Sequence, residues 1–328
     1  MVLERELALE FARVTEAAAL VAARWVGRGD KVGADQAAVT AMRVMFDTVA
    51  VNGTVVIGEG EMDEAPMLYI GEKVGCSNRP EVDIAVDPLE GTNIVAKGLY
   101  GAIAVLAVAP RGALLHAPDI YMDKIAVGPA CKGRVHLDAP VAENLRQAAR
   151  ALHKSVRELT VVILDRPRHY DIIEQVRSAG ARIQLISDGD ISPAVAAAYE
   201  DSGVDILMGI GGAPEGVIAA AALKCMDGDF QGRLCPDGHE EFERCLEMGL
   251  SKPDRLLTLD EIVASDDVIF AATGITDSFL LQGVKYIEGR ALTQTLVMRS
   301  KSGTIRHIEA THRLDKKPLF RDSRIELK

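Results

Sequence analysis

Two amphipathic helices open the hydrophobic pattern of the chain. In the first, apolar residues recur at steps of three and four from Leu7 to Trp25, and the pattern stops at the glycines of 27–29. A second helical pattern runs from Val39 to Val49. Asp35 lies near its first turn, where the helix dipole favours an anion, so the sequence predicts a carboxylate displayed at a helix start.

Short apolar runs bounded by turn residues follow these helices and predict β-strands. We expect them to be strands of one sheet. The runs occupy 54–58, 82–86, 102–110 and 124–128.

Strands and helices alternate from about residue 160, which predicts a largely parallel sheet with helices packed on it. The last third of the chain returns to strands. The helices predicted in the alternating part occupy 169–179, 192–201 and 214–226.

The length of 328 residues exceeds that of one typical domain, so two lobes are expected. A charged, helix-like stretch at 141–158 marks the predicted boundary. Residues 1–158 are predicted to form an N-terminal α+β lobe, and residues 159–328 a C-terminal α/β lobe.

The composition restricts the class of protein. Hydrophobic residues make up 48% of the chain and aromatic residues only 4%, which is typical of a globular α/β protein. The formal charge of −11 argues against a nucleic-acid partner, because such a protein needs a basic surface. An acidic protein that acts on an anionic substrate needs clustered Arg and Lys or bound metal.

The cysteines and the N-terminal segment indicate the compartment. The five cysteines form no CxxC pair and leave an odd count, which favours reduced thiols in a cytosol. The first twenty residues carry acidic and basic side chains inside their apolar pattern, so we expect neither a signal peptide nor a membrane span. The sequence therefore predicts a cytoplasmic protein with no membrane partner.

The segment DPLEGT at 87–92 carries the most informative chemistry. Because Pro88 lacks an amide hydrogen, the preceding strand is predicted to end there in a turn. That turn would bring Asp87, Glu90 and Thr92 together. Two carboxylates at this spacing can share hard cations, and the hydroxyl can orient a water molecule.

An acidic loop follows the earlier strand at 54–58. Taken alone, it is best explained as a solvated surface loop, because adjacent carboxylates repel one another unless they are exposed or neutralised. Beside Asp87 and Glu90 it favours a multi-metal cluster. The acidic residues of the loop are Glu59, Glu61, Asp63 and Glu64.

The glycine-rich segment 208–216 does not match a dinucleotide-binding loop, because Pro214 replaces the last glycine of GxGxxG. It predicts a tight turn into a helix whose first turn carries Glu215. Glu215 is either a structural helix-start acid or a metal ligand. Arg166 and Arg168 follow a strand, and their paired guanidinium groups suit phosphate oxygens.

Two further polar segments each leave two interpretations open. Asp188 and Asp190 in SDGD suit sugar hydroxyls or an ordinary turn. Tyr121 and Lys124 in YMDK either reach a phosphate or lie on a strand edge. The seven histidines show no HExxH or other metal-ligand spacing, and no Ser-His-Asp or Cys-His arrangement is evident.

Eight motifs occur together in the order and spacing of one family: GDKVGADQAAV, VIGEGEMDEAPML, DPLEGT, YMDK, DRPRH, SDGD, GGAPEGV and ATGIT. With them the chain resembles class II fructose-1,6-bisphosphatase of the bacterial GlpX type over nearly its whole length. DPLEGT alone is similar to the signature of the wider lithium-sensitive phosphatase superfamily, which includes inositol monophosphatases. Ser278 departs from the family pattern, which has glycine there, and puts the local turn geometry in doubt.

The resemblance implies a layered α/β/α/β/α sandwich of two lobes, with two or more Mg²⁺ or Mn²⁺ ions. It implies metal ligation by Asp35, Glu59, Asp87, Glu90 and Glu215. It implies substrate contacts by Glu90, Gly91, Thr92, Tyr121, Arg166, Pro167, Arg168, Asp188, Gly189, Asp190 and Gly212. The residues expected to take part in catalysis are Thr92, Asp35, Glu59 and Asp87.

The activity that the resemblance implies is hydrolysis of the 1-phosphate of fructose 1,6-bisphosphate, a step of gluconeogenesis, in a homodimer or homotetramer. Metal ions would polarise the phosphate and lower the pKa of the attacking water. Thr92, paired with Asp35, would orient that water. Arg166 and Arg168 would bind the 6-phosphate.

Three alternatives stay open at this point. The first is a broader phosphatase that also accepts sedoheptulose 1,7-bisphosphate. The second is an enzyme with inositol-monophosphatase-type activity, and the third is a sensor that binds sugar phosphates without turnover. Thr92 argues against the sensor, because binding alone does not require a hydroxyl that orients water.

Overall fold

The computed structural model describes residues 3, 5–60 and 67–317 of the chain. The chain divides into two compact units: the first unit comprises Met1–Gly112 and Asp267–Lys328, and the second unit comprises Ala113–Asp266. Within the described ranges, no helix is long and apolar enough to cross a membrane.

The first unit begins with the two helices that the hydrophobic pattern predicts. Its α-helices are α1 Leu7–Ala22, α2 Lys31–Phe46 and α3 Thr92–Lys97. Helix α2 starts earlier than expected, because the Asp30 side chain caps it by accepting a hydrogen bond from the Gly33 amide at 2.8 Å. Asp35 therefore lies in the second turn, and its prediction as a first-turn acid is wrong.

One sheet forms the centre of the first unit. Its strands are β1 Asn52–Ile57, β2 Lys73–Val74, β3 Glu81–Glu90, β4 Ile103–Pro110, β11 Ile269–Gly274, β12 Lys285–Ile287, β13 Arg290–Arg299 and β14 Thr304–Arg313. The spatial order is β12-β13-β11-β4-β3-β1-β2, with β14 paired to β13. Only β1 and β3 run parallel among these described strands.

Helices α1 and α2 pack together on this sheet and enclose its core. Phe11 of α1 and Phe46 of α2 are fully buried with Ile84 of β3 and Val297 of β13. Each such side chain removed from water contributes roughly 1.5–3 kcal/mol. Apolar burial of the helix faces therefore fixes the sheet strands that carry the predicted acidic residues.

The second unit contains six α-helices in the described chain. Helix α6 is shorter than the predicted 192–201, because the Ser202 hydroxyl donates to the Ala196 carbonyl at 2.6 Å and satisfies the helix end. The helices are α4 Val141–Ala151, α5 Tyr170–Ala179, α6 Ile191–Ala196, α7 Ala213–Cys225, α8 Gly238–Glu247 and α9 Leu259–Ile262.

The sheet of the second unit has the order β10-β9-β5-β8-β6-β7. Its strands are β5 Tyr121–Val127, β6 Thr160–Leu164, β7 Arg182–Ile186, β8 Ile206–Gly212, β9 Asp229–Leu234 and β10 Leu257–Thr258. Strands β7, β6 and β8 are parallel, as the alternating pattern predicts. Strands β5, β9 and β10 pair in antiparallel fashion, so the prediction of a largely parallel sheet holds for only half of it.

Short 3₁₀ helices connect several of these elements. They are Ala23–Trp25, Pro129–Cys131, Val156–Glu158, Pro167–His169, Ser300–Ser302 and Leu314–Lys316.

The two sheets with their helices confirm the α/β class, but the chain divides elsewhere than at the expected 158/159 boundary. Strand β5 lies before residue 158 yet pairs with β8 and β9, so it belongs to the second sheet and not with the strand at 102–110. Strands β11 to β14 return to the first sheet. Hydrophobic pattern carries no information on strand partners, which is why the sequence placed the boundary wrongly.

Candidate active site

Strand β3 does not end at Asp87-Pro88, contrary to the prediction. It continues to Glu90 with an irregular register, because Asp87 pairs with Val105 and Glu90 with Ile103 of β4. Three residue steps on β3 thus face two on β4, which is a bulge, and a proline is tolerated there because the ladder is already interrupted. The turn comes three residues later than expected.

Gly91 makes that turn. Its backbone is left-handed, with φ 90° and ψ 50°, and it is the residue immediately before α3, whose first residue is Thr92. Glu90 therefore lies at the buried end of β3 and Thr92 at the start of α3, with only Gly91 between them. Asp87 lies near the same end of β3, and the function of these three residues as one site stays a prediction.

Asp35 lies on the side of α2 that faces the start of α3. Lys31, in the first turn of α2, donates from Nζ to Asn93 Oδ1 at 3.0 Å. Asp35 is four residues beyond Lys31, and residues at this spacing share one face of a helix. Burial raises the pKa of the Asp35 carboxyl. The partnership between Asp35 and Thr92 stays a prediction.

Glu59 is held by the chain that returns after the acidic loop. Its amide donates to the Leu68 carbonyl at 3.0 Å, and the Ile70 amide donates to the Gly60 carbonyl at 2.9 Å. A Cβ at Gly58 would overlap the Leu68 carbonyl, so the close approach requires glycine. The other acids of the loop, Glu61, Asp63 and Glu64, lie outside the described residues.

Among the residues that the structure describes, no three His, Cys, Asp or Glu side chains lie close enough together to hold one metal ion. Five carboxylates remain predicted metal ligands on the strength of the resemblance. They are Asp35, Glu59, Asp87 and Glu90 in the first unit and Glu215 in the second.

Glu215 carries the feature that best fits a cation. It lies in the first turn of α7, and its Oε2 is buried with no hydrogen-bond partner within the described ranges. Burial raises the pKa of this carboxyl, while the Lys124 charge lowers it. A Cβ at Gly212 would overlap Oε2, so glycine is needed there to admit the carboxylate. A buried carboxylate oxygen without a donor suits a hard cation.

The predicted residues of the second unit collect at one edge of its sheet. Arg166 and Arg168 follow β6, Asp188 to Asp190 follow β7, and Gly212 ends β8. Carboxyl ends of adjacent parallel strands are the usual ligand-binding edge of an α/β sheet. Tyr121 joins them, because it opens the antiparallel strand β5 directly opposite Gly212.

Arg168 is fixed in place by three contacts. Its Nε and one terminal nitrogen donate to the Ile210 carbonyl at 3.1 and 2.8 Å. Its guanidinium carbon lies 4.5 Å from the centre of the Tyr121 ring, a cation–π contact. Arg166 donates a hydrogen bond from a terminal nitrogen to the carbonyl of the preceding residue at 3.0 Å, and its other terminal nitrogen lies 3.9 Å from Asp188 Oδ1. Of the two arginines, Arg168 is the better pre-positioned for an anion.

His169 is a buried histidine with a hydrogen bond at each ring nitrogen. It is 2% exposed. The Ile210 amide donates to its Nε2 at 2.8 Å, and its Nδ1 lies 2.7 Å from the Leu164 carbonyl, which places the proton on Nδ1. Burial lowers the pKa of the imidazole. The neutral ring ties the end of β6 to β8 and supports the loop that carries Arg168.

Lys124 is the residue whose environment the sequence did not reveal. It lies within the central strand β5 and is 1% exposed, so neither of the two interpretations of YMDK describes it fully. Its Nζ lies 2.7 Å from Asp190 Oδ2 and donates to the Gly212 carbonyl at 2.9 Å. Asp190 is also buried, at 6% exposure. One ammonium group thus holds two predicted substrate-contact residues.

Gly189 and Ser278 settle two points about turns. Gly189 has φ 73°, so SDGD is a turn that needs glycine, whatever else its acids do. Ser278 has no positive φ, and its amide donates to the Leu281 carbonyl at 2.8 Å in a compact turn. Serine is therefore accommodated where the family pattern has glycine.

Comparison with known proteins identifies the class. The family model of the bacterial fructose-1,6-bisphosphatase encoded by glpX matches residues 5–312. A Synechococcus sp. (strain JA-3-3Ab) protein, D-fructose 1,6-bisphosphatase class 2/sedoheptulose 1,7-bisphosphatase, is 50% identical over 337 residues, with 95% of this chain and 97% of the relative covered. Fructose-1,6-bisphosphatase 1 class 2 of Escherichia coli (strain K12) is 50% identical over 328 residues, with 96% and 97% covered.

These matches define a metal-dependent phosphatase class. The chain belongs to the glpX-encoded bacterial fructose-1,6-bisphosphatase family.

Proposed function

We propose that this chain hydrolyses the 1-phosphate of fructose 1,6-bisphosphate to fructose 6-phosphate and inorganic phosphate. The observation that carries the proposal is the collection of Arg166, Arg168, Asp190 and Glu215 at the carboxyl edge of β6, β7 and β8 in a member of this family. A sugar-phosphate site requires guanidinium groups that bind the phosphate and carboxylates that accept hydrogen bonds from the sugar hydroxyls.

The cofactors in this proposal are two or more divalent ions, Mg²⁺ or Mn²⁺. Both prefer oxygen ligands. The buried, unpartnered Oε2 of Glu215 and the acid pair at the bulge of β3 supply such oxygens. When bound, the ions lower the pKa of a water and offset phosphate charge. The proposed ligands are Asp35, Glu59, Asp87, Glu90 and Glu215.

The protein side chains position the attacking water and the substrate. Thr92, at the start of α3, orients the attacking water through its hydroxyl, and this hydroxyl donates a hydrogen bond to Asp35 of α2. Arg168, held by Ile210 and stacked on Tyr121, binds the 6-phosphate bidentately. Asp190 accepts hydrogen bonds from sugar hydroxyls while the contact with Lys124 keeps its carboxylate oriented.

A second substrate is favoured by one specific observation. The Synechococcus relative named above is a sedoheptulose 1,7-bisphosphatase as well as a fructose 1,6-bisphosphatase, and the Escherichia coli relative of equal identity carries only the fructose name. Dual activity is therefore the alternative to test. The two sugars share their terminal phosphates, so Arg168 serves both.

The test is phosphate release by the full chain with Mg²⁺, Mn²⁺ or EDTA. The substrates are fructose 1,6-bisphosphate, sedoheptulose 1,7-bisphosphate and inositol monophosphate. We expect metal-dependent turnover of the fructose bisphosphate and none of inositol monophosphate. Comparable kcat/KM for both bisphosphates would establish dual activity, and absence of turnover on all three in metal-loaded protein would favour the sensor.

Asp87→Ala serves as the matched active-site variant. Loss of turnover with fructose 1,6-bisphosphate is expected, because Asp87 is a proposed metal ligand. Normal turnover in the metal-loaded variant would remove the acid segment at 87–92 from the mechanism.

We further propose a cytoplasmic homo-oligomer, dimer or tetramer, which acts in gluconeogenesis. Light scattering on the purified chain decides the oligomeric state, and a monomer at micromolar concentration would contradict it.

A further inference from the structure

A pocket of about 230 Å³ in the first unit is lined by cationic and hydroxyl side chains. None of them belongs to the predicted active-site residues. Three arginines lie together here, although the chain as a whole has a formal charge of −11. The lining residues are Arg5, Ala8, Arg299, Ser302, Thr304 and Arg306.

The hairpin of β13 and β14 explains why these side chains meet. Arg299 pairs with Thr304, and Val297 pairs with Arg306. Because alternate residues of a strand share a face, Arg299, Thr304 and Arg306 lie on the same side as Val297. Val297 packs in the core with Phe11 of α1. The pocket therefore lies where the beginning of α1 meets the turn of the hairpin.

Arg299 forms a rigid wall of the pocket. It is 5% exposed, and its Nε and one terminal nitrogen donate to the two carboxylate oxygens of Asp267 at 3.0 and 3.2 Å. The same terminal nitrogen donates to the Leu3 carbonyl at 2.6 Å, and the Leu3 amide donates to Asp267 at 2.8 Å. This network holds Leu3, two residues before Arg5 in the chain.

The other two arginines bring charge that the described protein does not offset. Arg5 and Arg306 are exposed, and neither lies within ion-pair distance of a carboxylate in the described ranges. Asp267 already pairs with Arg299, and Lys301 Nζ lies 3.9 Å from the same carboxylate. Like charges gathered in this way repel one another, and a bound anion relieves the repulsion.

We propose that this pocket binds a phosphate group, either inorganic phosphate or the phosphate of a small ester. Guanidinium forks match phosphate oxygens bidentately, and three arginines line this pocket. Pockets for drug-sized ligands measure roughly 300–1,000 Å³. The smaller volume here suits one phosphate group and not an entire nucleotide.

The test is calorimetric titration of the full chain with inorganic phosphate, in EDTA and at constant ionic strength. We expect saturable binding whose Kd rises at least tenfold in Arg306→Glu. The matched control is Arg290→Glu, which makes the same charge change at an exposed arginine at the opposite end of β13. Its Kd should stay within twofold of the unmodified protein. Arg299 is left unchanged because its removal would unpair the buried Asp267.

A further variant separates this pocket from the proposed active site, which also binds phosphate. Arg168→Ala should keep the binding that Arg306→Glu loses. Competition by fructose 6-phosphate assigns the pocket to phosphate esters, and failure to compete assigns it to inorganic phosphate. The proposal is overturned if binding disappears in Arg168→Ala, if Arg306→Glu and Arg290→Glu weaken it equally, or if no saturable binding occurs.

Discussion

Lys124 and Asp190 form a buried ion pair, with Nζ and Oδ2 2.7 Å apart and side chains 1% and 6% exposed. The pair joins the central strand of the second sheet to the residue that immediately precedes α6. A Cβ at Gly211 would overlap Asp190 Oδ2, so a glycine beside the pair is required for it to form. Desolvation makes such a pair costly unless both partners are present.

Lys124→Met should therefore destabilise the protein by about 3–5 kcal/mol, because it leaves the Asp190 charge buried and unpaired. The double variant Lys124→Met/Asp190→Asn should recover most of this loss while the KM for fructose 1,6-bisphosphate stays raised. Urea denaturation and steady-state kinetics measure the two effects. A double variant with unchanged KM would show that the pair serves stability alone.

Gly212→Ala should weaken catalysis with little loss of stability. Gly212 has an ordinary φ of −65°, so alanine is allowed by the backbone, but its Cβ would displace the Glu215 carboxylate. We expect at least a tenfold fall in kcat/KM and an equal fall in Glu215→Gln. Steady-state kinetics measure the activity, metal titration measures ion binding, and thermal denaturation measures stability. Full activity in Gly212→Ala would mean that the orientation of Glu215 is unimportant.

Arg168→Ala should raise KM more than it lowers kcat, because its phosphate contact exists in the ground state and the transition state alike. Tyr121→Leu removes the ring that stacks on the Arg168 guanidinium and should also raise KM. Tyr121→Phe keeps the ring and is the control. If Tyr121→Phe raises KM as much, the phenol hydroxyl contacts the substrate directly.

His312 makes the stability of the first unit depend on pH. It is 6% exposed, its Nε2 lies 2.8 Å from Thr293 Oγ1, and burial followed by the Lys317 charge lowers its pKa to about 4. The unfolded chain takes up this proton near pH 6.5 and the folded chain only near pH 4. The free energy of unfolding should thus fall as pH drops through that window, by at most about 3 kcal/mol.

The comparison of the unmodified protein with His312→Gln isolates this effect. Glu16 Oε2 lies 4.0 Å from the imidazole, and burial raises the pKa of that carboxyl, so the carboxyl contributes the opposite slope in both proteins. Urea denaturation at pH 7.5, 6 and 5 should show a steeper decline with His312 present. Parallel declines would contradict the assignment.

Local pattern predicted several of the helices and most strands, but not the helices α3, α8 and α9. Each such pattern depends on a few consecutive residues, because burial of one face requires apolar side chains at regular spacing. Examples are the helical periods of α1, α5 and α7 and the apolar runs of β1, β4 and β6. The end of β3 was misjudged, because the bulge that admits Pro88 depends on the partner strand β4. Asp35 was misplaced by one turn, because the cap at Asp30 outweighed the apolar pattern.

Motif spacing along the chain was enough to predict the chemistry: the residue types of the acidic turn at 87–92, the arginines after β6 and the glutamate of α7. Three features became known only from the folded chain: which strands share a sheet, where the units divide, and the burial of Lys124 against Asp190. These depend on contacts between residues far apart in sequence. The spacing of hydrophobic residues along the chain indicates which side chains are buried, but it does not specify which residues they contact.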